Sequence, residues 1–354
     1  MKIAIDITPL KEERVLWHRV RGTGFYIENL KKSLETYFPQ NQYLFFTRKE
    51  KLPKDVDLIH YPYFEPFFLS LPIFKGKKTV VTVHDLTPLV FPQYFPSGIR
   101  GRLKWGVQKC LLKKAEAIIT DSENSKQDIV RLTGFPKEKV HVVYLAPAAE
   151  FRQIKDTLLL DSIKEKYKLP KQFVLYVGDV TWNKNLPRLL EAVKTLDLPL
   201  VLVGKALTAD DYDKDNAWNQ DLVKVQTLAK NNTRILRLGF VPTEDLVVLY
   251  NLATVFVMPS IYEGFGLPVL EAMACGTPVV ASKTSSLPEI CGEAAILVDP
   301  YDRENLAKAI EKVVKDNKER SRLVEKGLIQ ASKFSWEKTT KETMRIYKKI
   351  YEKI

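Results

Sequence analysis

The chain has 354 residues, of which 45% are hydrophobic, so a single core is disfavoured and two domains are the natural expectation. Its net charge of +12 favours anionic partners such as nucleotides, nucleic acid or a membrane surface. Three widely spaced cysteines argue against a disulfide framework or a zinc site and fit a reducing cytoplasm. Asp6 in the strand-like first residues argues against a signal peptide, and no apolar run reaches the ~20 residues of a membrane span.

The first predicted elements are a strand, a glycine-containing loop and a helix. Residues 2–7 have the character of a buried strand, and apolar residues recur at helical spacing from Tyr26 to Leu34. The loop between them ends in R-G-T-G-F, with Gly24 just before the helix. This order is typical of a nucleotide-binding fold, but a single G-x-G is a weak signal that an ordinary turn explains equally well.

Three further strands are predicted at 43–46, 56–60 and 79–83, and the last of them ends in His84-Asp85. Ligands bind beyond the carboxyl ends of the strands in an open parallel sheet. His84 is therefore predicted to face such a crevice, with a structural histidine and a capping aspartate as the alternative.

Residues 96–117 combine basic side chains with interleaved apolar ones, which indicates an amphipathic helix. The basic side chains are Arg100, Arg102, Lys104, Lys109, Lys113 and Lys114. Such a helix can dock on an anionic membrane, and the alternative is a solvated charged face over a normally packed apolar face. The next strand is predicted over 117–122, with Asp121-Ser122 at its end, and 140–145 is the last strand of the first domain.

The second strand series follows a polar, helical linker region over 151–170. A strand at 173–177 leads into the loop G-D-V-T-W-N-K-N, where Lys184 presents a compact positive charge suited to a diphosphate. Lys205, after a strand at 200–204, is either a second phosphate-binding cation or an ordinary surface lysine.

Residues 258–282, M-P-S-I-Y-E-G-F-G-L-P-V-L-E-A-M-A-C-G-T-P-V-V-A-S, predict strand, glycine loop, helix and strand. Pro268 suits the first turn of a helix, and Gly276 suits the left-handed residue after its end. Gly264 and Gly266 let backbone N–H groups approach a ligand closely. The helix start adds the positive end of its dipole, so the segment predicts an anion site.

Two carboxylates flank this predicted anion site. Glu263 lies in the loop, and Glu271 lies about one turn inside the helix with its side chain directed towards the helix start. A phosphate would repel both, so they are predicted to accept hydrogen bonds from hydroxyl groups. The segment therefore predicts a ligand that carries both a phosphate and a sugar.

These residues resemble the retaining glycosyltransferases of family 4. The segment E-G-F-G-L-P-x-L-E-A-M-A-C-G-T-P-V-V-A-S matches the E-x7-E signature of that family, with Glu263 and Glu271 at the required spacing. V-T-V-H-D-L-T-P-L around His84 also resembles the family. The similarity covers most of the chain, and it is sharpest over 239–300 and moderate over 79–125.

The resemblance implies an α/β protein with the GT-B fold, in which two Rossmann-like domains face each other across a cleft. The expected domains are an N-terminal acceptor domain at 1–165 and a nucleotide-sugar-binding domain at 166–335. A C-terminal helix at 336–354 is expected to cross back to the N-terminal domain.

The resemblance also implies roles for individual residues. Glu263 would contact the transferred sugar, Glu271 the ribose hydroxyls, and His84 lies near the transferred sugar. Lys184 would bind the pyrophosphate, although the arginine that accompanies it in many members is absent, as is the usual arginine after Gly24. The other expected donor-binding residues are Gly24, Phe240, Val241, Gly264, Phe265, Gly266 and Leu267.

The implied activity is retaining transfer of a hexosyl group from a nucleotide-sugar, with GDP-mannose or UDP-glucose favoured, to a hydroxyl acceptor in glycan or glycolipid synthesis. The candidate catalytic residues are His84, Lys184 and Glu263, with Lys184 and the loop amides stabilising the departing diphosphate. No cofactor is expected, because the nucleotide-sugar is a substrate. No metal is expected either, because the fold implied by the resemblance needs no Asp-x-Asp motif, and the D-Y-D of Asp211 and Asp213 lies on a polar surface stretch away from the predicted cleft.

The expected partners are the nucleotide-sugar donor and a glycan or lipid-linked acceptor, with peripheral membrane contact through 96–117 and no nucleic acid. The expected location is the cytoplasm, at the inner face of the membrane where that contact forms. Two alternatives remain open. One is a basic binding module that has lost catalysis, and the other is a GT-B phosphorylase or epimerase that uses the same donor pocket.

Overall fold

The computed structural model describes residues 1–11, 20–72, 76–230 and 232–352. Its strands are β1 (Lys2–Asp6), β2 (Gln42–Phe46), β3 (Leu58–Tyr61), β4 (Lys78–Thr82), β5 (Ala117–Thr120), β6 (Val140–Val142), β7 (Val174–Val177), β8 (Leu200–Val203), β9 (Ile235–Gly239), β10 (Val255–Met258), β11 (Val279–Ser282) and β12 (Ala295–Val298). Its α-helices are α1 (Thr8–Lys11), α2 (Phe25–Tyr37), α3 (Thr87–Val90), α4 (Gly98–Leu112), α5 (Glu123–Thr133), α6 (Thr157–Lys166), α7 (Leu186–Lys194), α8 (Gln220–Ala229), α9 (Thr243–Leu252), α10 (Leu267–Ala274), α11 (Leu287–Cys291), α12 (Arg303–Lys315), α13 (Asn317–Ala331) and α14 (Trp336–Tyr351).

The chain divides into two compact units. Unit 1 is Met1–Leu145 with Phe334–Ile354, and unit 2 is Ala146–Lys333. The sequence predicts the boundary after residue 165, whereas the chain joins unit 2 twenty residues earlier. Helix α6 causes the difference, because it packs on α9 of unit 2, where the Lys166 ammonium donates to the Asp245 carboxylate at 2.6 Å.

Unit 1 is built on a parallel sheet with the strand order β2-β1-β3-β4-β5-β6. Its central strands β3, β4 and β5 are almost continuously buried, as expected for a parallel sheet covered on both faces. Helix α14 belongs to this unit, because the Thr339 hydroxyl donates to the Tyr144 carbonyl at 2.6 Å and the Lys78 ammonium to the Ile350 carbonyl at 2.7 Å. The predicted return of the C-terminal helix is confirmed, while residues 353–354 lie outside the described residues.

Unit 2 is a second parallel sheet, with the strand order β12-β11-β10-β7-β8-β9. Strands β7 and β10 are neighbours and run parallel, and the chain continues from each of them towards opposite edges of the sheet. This is a topological switch point, where ligands bind beyond the carboxyl ends of the strands. The predicted α/β class with two Rossmann-like units is confirmed.

The structure corrects the predicted loop around Gly24. A helical turn over Val20–Gly24 runs directly into α2, and Gly24 has φ −62° and ψ −47°. Any residue adopts these right-handed helical angles, so glycine is not needed there for its conformational freedom. Residues 12–19 of the predicted loop lie outside the described residues.

Helix α4 buries only a few of its side chains. Its buried positions are Gly101, Gln108, Leu111 and Leu112. The Gln108 side chain accepts hydrogen bonds from the Ser70 and Leu71 backbone N–H groups, which ties the helix to the preceding segment. Neither α4 nor any other helix in the described ranges is long and apolar enough to cross a membrane.

Candidate functional site

The loops that follow β7 and β10 are joined by hydrogen bonds at the switch point of unit 2. The Asn183 side chain donates to the Tyr262 carbonyl at 2.9 Å, and the Ile261 N–H donates to the Asn183 carbonyl at 2.8 Å. The Asn185 side chain donates to the Pro259 carbonyl at 2.9 Å, with its own backbone at φ 58°. Two segments 74 to 79 residues apart are therefore held together as one surface.

Lys184 and Glu263 form an ion pair on this surface. The Lys184 Nζ atom lies 2.8 Å from both carboxylate oxygens of Glu263. The carboxylate is buried and the ammonium is only 21% exposed, so each charge compensates the other where water is scarce. The sequence predicts both residues in the site but not their direct contact.

Three consecutive hydroxyl groups hold the loop that carries Glu263. The Thr284 hydroxyl donates to the Ile261 carbonyl at 3.0 Å, and the Ser285 hydroxyl accepts from the Glu263 N–H at 2.9 Å. The fully buried Ser286 hydroxyl bridges the carbonyl oxygens of Glu263 and Phe265 at 3.0 and 2.8 Å. Sequence reasoning did not assign a role to this S-S pair, and its only signal is the run of hydroxyl residues after β11.

Helix α10 begins at Leu267, directly after the glycine loop, with Pro268 in its first turn. Gly266 has φ 102°, and a Cβ atom there would lie 2.7 Å from a Leu287 methyl group. The first turn of a helix leaves backbone N–H groups without intrahelical acceptors and carries the positive end of the dipole. The loop that carries Glu263, the ion-pair partner of Lys184, therefore leads directly into a helix start.

Glu271 lies inside α10 and is buried, and the Tyr250 hydroxyl donates to its carboxylate at 2.9 Å. Burial raises the pKa of Glu271 to about 7, against the opposing effect of the Tyr250 hydrogen bond. Tyr250 is a neighbour that the sequence analysis did not identify.

Two further predicted donor contacts, Phe240 and Val241, lie at the same edge of the unit 2 sheet. Phe240 follows β9 and is exposed, whereas Val241 next to it is buried. Lys205 is exposed in the turn after β8. Asp211 and Asp213 are exposed, and within the described ranges no group of three or more His, Cys, Asp and Glu side chains could hold a metal ion.

His84 lies in unit 1, beyond the end of β4, and contacts Asp121 beyond the end of β5. The pairing of Thr82 with Ile119 in these two strands places the residues two positions further on opposite each other. The His84 Nδ1 atom lies 2.6 Å from an Asp121 carboxylate oxygen. Burial lowers the pKa of His84, but the Asp121 carboxylate outweighs it, and the net pKa is raised. Asp121 was predicted at a strand end and not as a site residue.

A buried polar chain leads from His84 to the C-terminal helix. The Tyr26 ring packs edge-on against His84, with the ring centroids 4.9 Å apart, and its hydroxyl lies 3.1 Å from the Thr82 hydroxyl. The Thr82 hydroxyl lies 2.8 Å from His60 Nε2, and His60 Nδ1 lies 2.6 Å from the Tyr347 hydroxyl. Gly24 lies two residues before Tyr26 of this chain and is buried.

Comparison with protein families gives two matches that together cover most of the chain. Residues 8–146 match the family described as Glycosyltransferase Family 4, and residues 161–329 match Glycosyl transferases group 1. Among curated relatives, O-antigen chain mannosyltransferase B of Escherichia coli is 35% identical over 77% of this chain and 70% of that protein. The serotype-specific mannosyltransferase WbdA of Escherichia coli is 30% identical over 74% of this chain and 32% of that protein.

Among solved structures, sucrose-phosphate synthase of Thermosynechococcus elongatus superposes with a TM-score of 0.75 and covers 99% of both chains. Its sequence identity to this chain is 21%, so the likeness is one of fold. The two parallel sheets of units 1 and 2 therefore form the GT-B architecture.

Proposed function

Because this chain belongs to the family 4-like glycosyltransferases, we propose that it transfers a mannosyl group from a nucleotide-sugar to a hydroxyl of a growing glycan, with retention of configuration. The observation that carries the proposal is the Lys184–Glu263 pair beside the glycine loop, at the switch point of unit 2. A cation, a helix start and a carboxylate at one place suit a ligand with a diphosphate and a sugar.

In the proposed reaction the bond between sugar C1 and the diphosphate oxygen breaks, and the acceptor oxygen bonds to C1 on the same face. The acceptor proton passes to the departing diphosphate oxygen. Lys184 and the amides of Gly264 to Leu267 stabilise the charge that develops on the diphosphate. Glu263 orients the sugar, Glu271 accepts from the ribose hydroxyls, and His84 contacts the transferred sugar.

The names of the two Escherichia coli relatives favour mannose, and GDP-mannose is therefore the proposed donor, with UDP-glucose as the competing choice. The first relative acts on an O-antigen chain, which supports a cell-surface polysaccharide as the acceptor. Neither a cofactor nor a metal ion takes part in the proposed reaction. Activity should therefore persist in excess chelator, and a strict requirement for a divalent cation would contradict it.

A thermal-shift panel of GDP, UDP, ADP and dTDP, each alone and with its sugar attached, tests the donor first. A ligand that binds only the folded chain raises the apparent melting temperature by mass action. We expect GDP and GDP-mannose to respond, and Glu271→Ala to abolish the response. A response to a different nucleotide would show that the donor is not GDP-mannose. No response at millimolar concentration would favour a binding module without catalysis.

Transfer itself is tested with GDP-mannose and an oligomannose acceptor, with the anomeric configuration of the product read by NMR. A product of the same configuration as the donor is expected. Turnover that depends on inorganic phosphate, or conversion of the donor without any acceptor, would point instead to a phosphorylase or an epimerase.

We also propose that unit 1 contacts the membrane through helix α4, which bears an exposed apolar stripe. Ile99, Leu103 and Val107 follow one another at intervals of one helical turn and are 71%, 68% and 50% exposed. Arg102 and Lys109 flank this stripe on one side.

Arg100 and Lys104 flank the stripe on the other side. Residues 98–114 contain six basic and no acidic side chains. An apolar strip between two basic rows complements an anionic bilayer, in which the strip enters the acyl boundary and the cations meet the headgroups. Such contact would bring the enzyme to a lipid-linked acceptor.

The exposed Cys110 is a built-in probe for this contact, since Cys275 and Cys291 are buried. An environment-sensitive fluorophore on Cys110 should respond to vesicles with 30% phosphatidylglycerol and not to pure phosphatidylcholine. Leu103→Ser should weaken the response, while Leu158→Ser, an equally simple change at an exposed leucine of unit 2, should not. Equal binding by the Leu103 variant, or a dimer in solution that this variant disrupts, would overturn the membrane assignment.

A further inference from the structure

His84 and Asp121 form a pair whose geometry leaves one particular atom for a ligand. The Asp121 carboxylate engages Nδ1 of the imidazole at 2.6 Å. The other ring nitrogen, Nε2, is buried and has no hydrogen-bond partner among the residues that the structure describes. A buried polar atom without a partner is costly, so it is expected where a ligand completes the site.

The charged and titratable groups around His84 favour its protonated form. Asp121 on the neighbouring strand end is the nearest, and the carboxylates of Asp85 and Glu65 add to its effect, while burial opposes it. His60 also faces this region, but burial lowers its pKa to about 3, so it stays neutral. A protonated His84 has an N–H at Nε2, which makes that atom a donor towards an oxygen of the ligand.

The polar chain behind His84 restrains the ring. Tyr26 contacts the imidazole edge-on at 4.9 Å, and its hydroxyl is bound to Thr82. Thr82 is in turn bound to His60, and His60 to Tyr347 on α14. Tyr26, Thr82, His60 and Tyr347 are all fully or almost fully buried. A rotation of the imidazole would have to displace Tyr26 and break a chain of hydrogen bonds that has no access to water.

We propose that Asp121 is a positioning residue, which holds Nδ1 of His84 so that the Nε2–H of this histidine is presented to the sugar donor. The Tyr347–His60–Thr82–Tyr26 chain locks the ring in this orientation. The inference rests on the proposed function for the identity of the ligand. Asp121 and Tyr347 act only through His84, and neither needs to touch the substrate.

NMR titration of the imidazole signals tests the pair without any turnover. The chain has only four histidines, so each signal can be assigned by a single His→Gln substitution. We expect the pKa of His84 to lie above its ordinary value of 6.5 and His60 not to titrate above pH 5. Asp121→Asn keeps the hydrogen-bond acceptor but removes the charge, so the pKa of His84 should fall.

Kinetics of the same variants test the positioning role. Asp121→Asn should lower kcat by roughly tenfold to a hundredfold, shift the acidic side of the pH profile and leave KM for the donor nearly unchanged. Tyr347→Phe should lower kcat by a smaller factor. In a His84→Gln background neither substitution should have any further effect.

Asp128→Asn is the matched control, because Asp128 is buried and ion-paired with Arg131 on α5. It should alter neither the pKa of His84 nor kcat. An unchanged pKa of His84 in Asp121→Asn, or effects that multiply in the double variants, would overturn the inference. Absence of any turnover in the unaltered protein would instead refute the proposed function. The NMR titration needs no turnover, so it still shows whether Asp121 raises the pKa of His84.

Discussion

Among single residues, Glu271 couples ionisation to stability. Burial raises its pKa from 4.5 to about 7 in the folded chain. A raised pKa means that the folded state binds the proton more tightly than the unfolded state. The resulting stabilisation is therefore complete below about pH 4.5 and is lost as the pH rises through about 7.

We predict that the free energy of unfolding of the unaltered protein falls between pH 5 and pH 8 by on the order of 2 to 3 kcal/mol more than that of Glu271→Gln. The variant lacks the titrating group, while every other group contributes to both proteins alike. Urea unfolding at the two pH values measures the difference. Parallel pH dependence in the two proteins would show that Glu271 does not hold its proton in the folded state.

Lys184 is predicted to contribute to both catalysis and stability. Lys184→Met should lower kcat by about 10²–10³-fold, because one charge that stabilises the departing diphosphate is lost. It should also lower the melting temperature, since the buried Glu263 carboxylate loses its cation.

Lys326→Met is the matched control for Lys184. It removes an exposed ion pair with Glu293, whose atoms lie 2.7 Å apart. Exposed pairs contribute little, so neither kcat nor the melting temperature should change appreciably. Steady-state kinetics and thermal unfolding of both variants provide the comparison, and a wild-type kcat in Lys184→Met would contradict the assigned role.

At the level of secondary-structure elements, the glycine loop and α10 depend on one backbone conformation. Gly266→Ala should destabilise the fold by about 1–3 kcal/mol, because φ 102° is strained for alanine and its methyl group would meet Leu287. The same change should weaken nucleotide binding. Gly106→Ala, in open space on α4, should instead stabilise the chain by about 0.5–1 kcal/mol. Chemical unfolding and the thermal shift with nucleotide measure the two effects.

The elements themselves were largely predictable, since Pro268 and Gly276 mark the ends of α10 in the sequence. Their partners were not, because the contact of Lys184 with Glu263 spans 79 residues and depends on the strand order β7–β10. The contact of His84 with Asp121 likewise follows from strand register.

Two local features also could not be predicted from the sequence patterns. The exposed stripe of α4 was not predictable, because apolar residues lie on both sides of that helix and period alone does not tell which side is buried. Gly24 was misplaced in a loop, because glycine also occurs where the backbone is ordinary helix.

At the scale of the whole molecule, the residues proposed to bind the nucleotide part of the donor lie in unit 2. Hydrogen exchange with saturating GDP should therefore slow amides at 183–185 and 260–271, where binding removes local opening. The sheet of unit 1 should exchange at unchanged rates. Protection limited to unit 1 would place the nucleotide elsewhere, and the Glu271→Ala variant should show no protection at all.

The buried bond between His60 and Tyr347 joins residues 287 positions apart in the chain. A ribosome that adds ~5–20 residues per second needs roughly 15 to 60 seconds to travel that distance. Throughout this interval the His60 ring lacks its tyrosine, and all residues of unit 2 are synthesised before Tyr347 is reached. The hydrogen-bonded chain behind His84 can thus close only after translation has passed Tyr347, so the residues of the proposed nucleotide-binding surface are made before the His84 ring is locked in place.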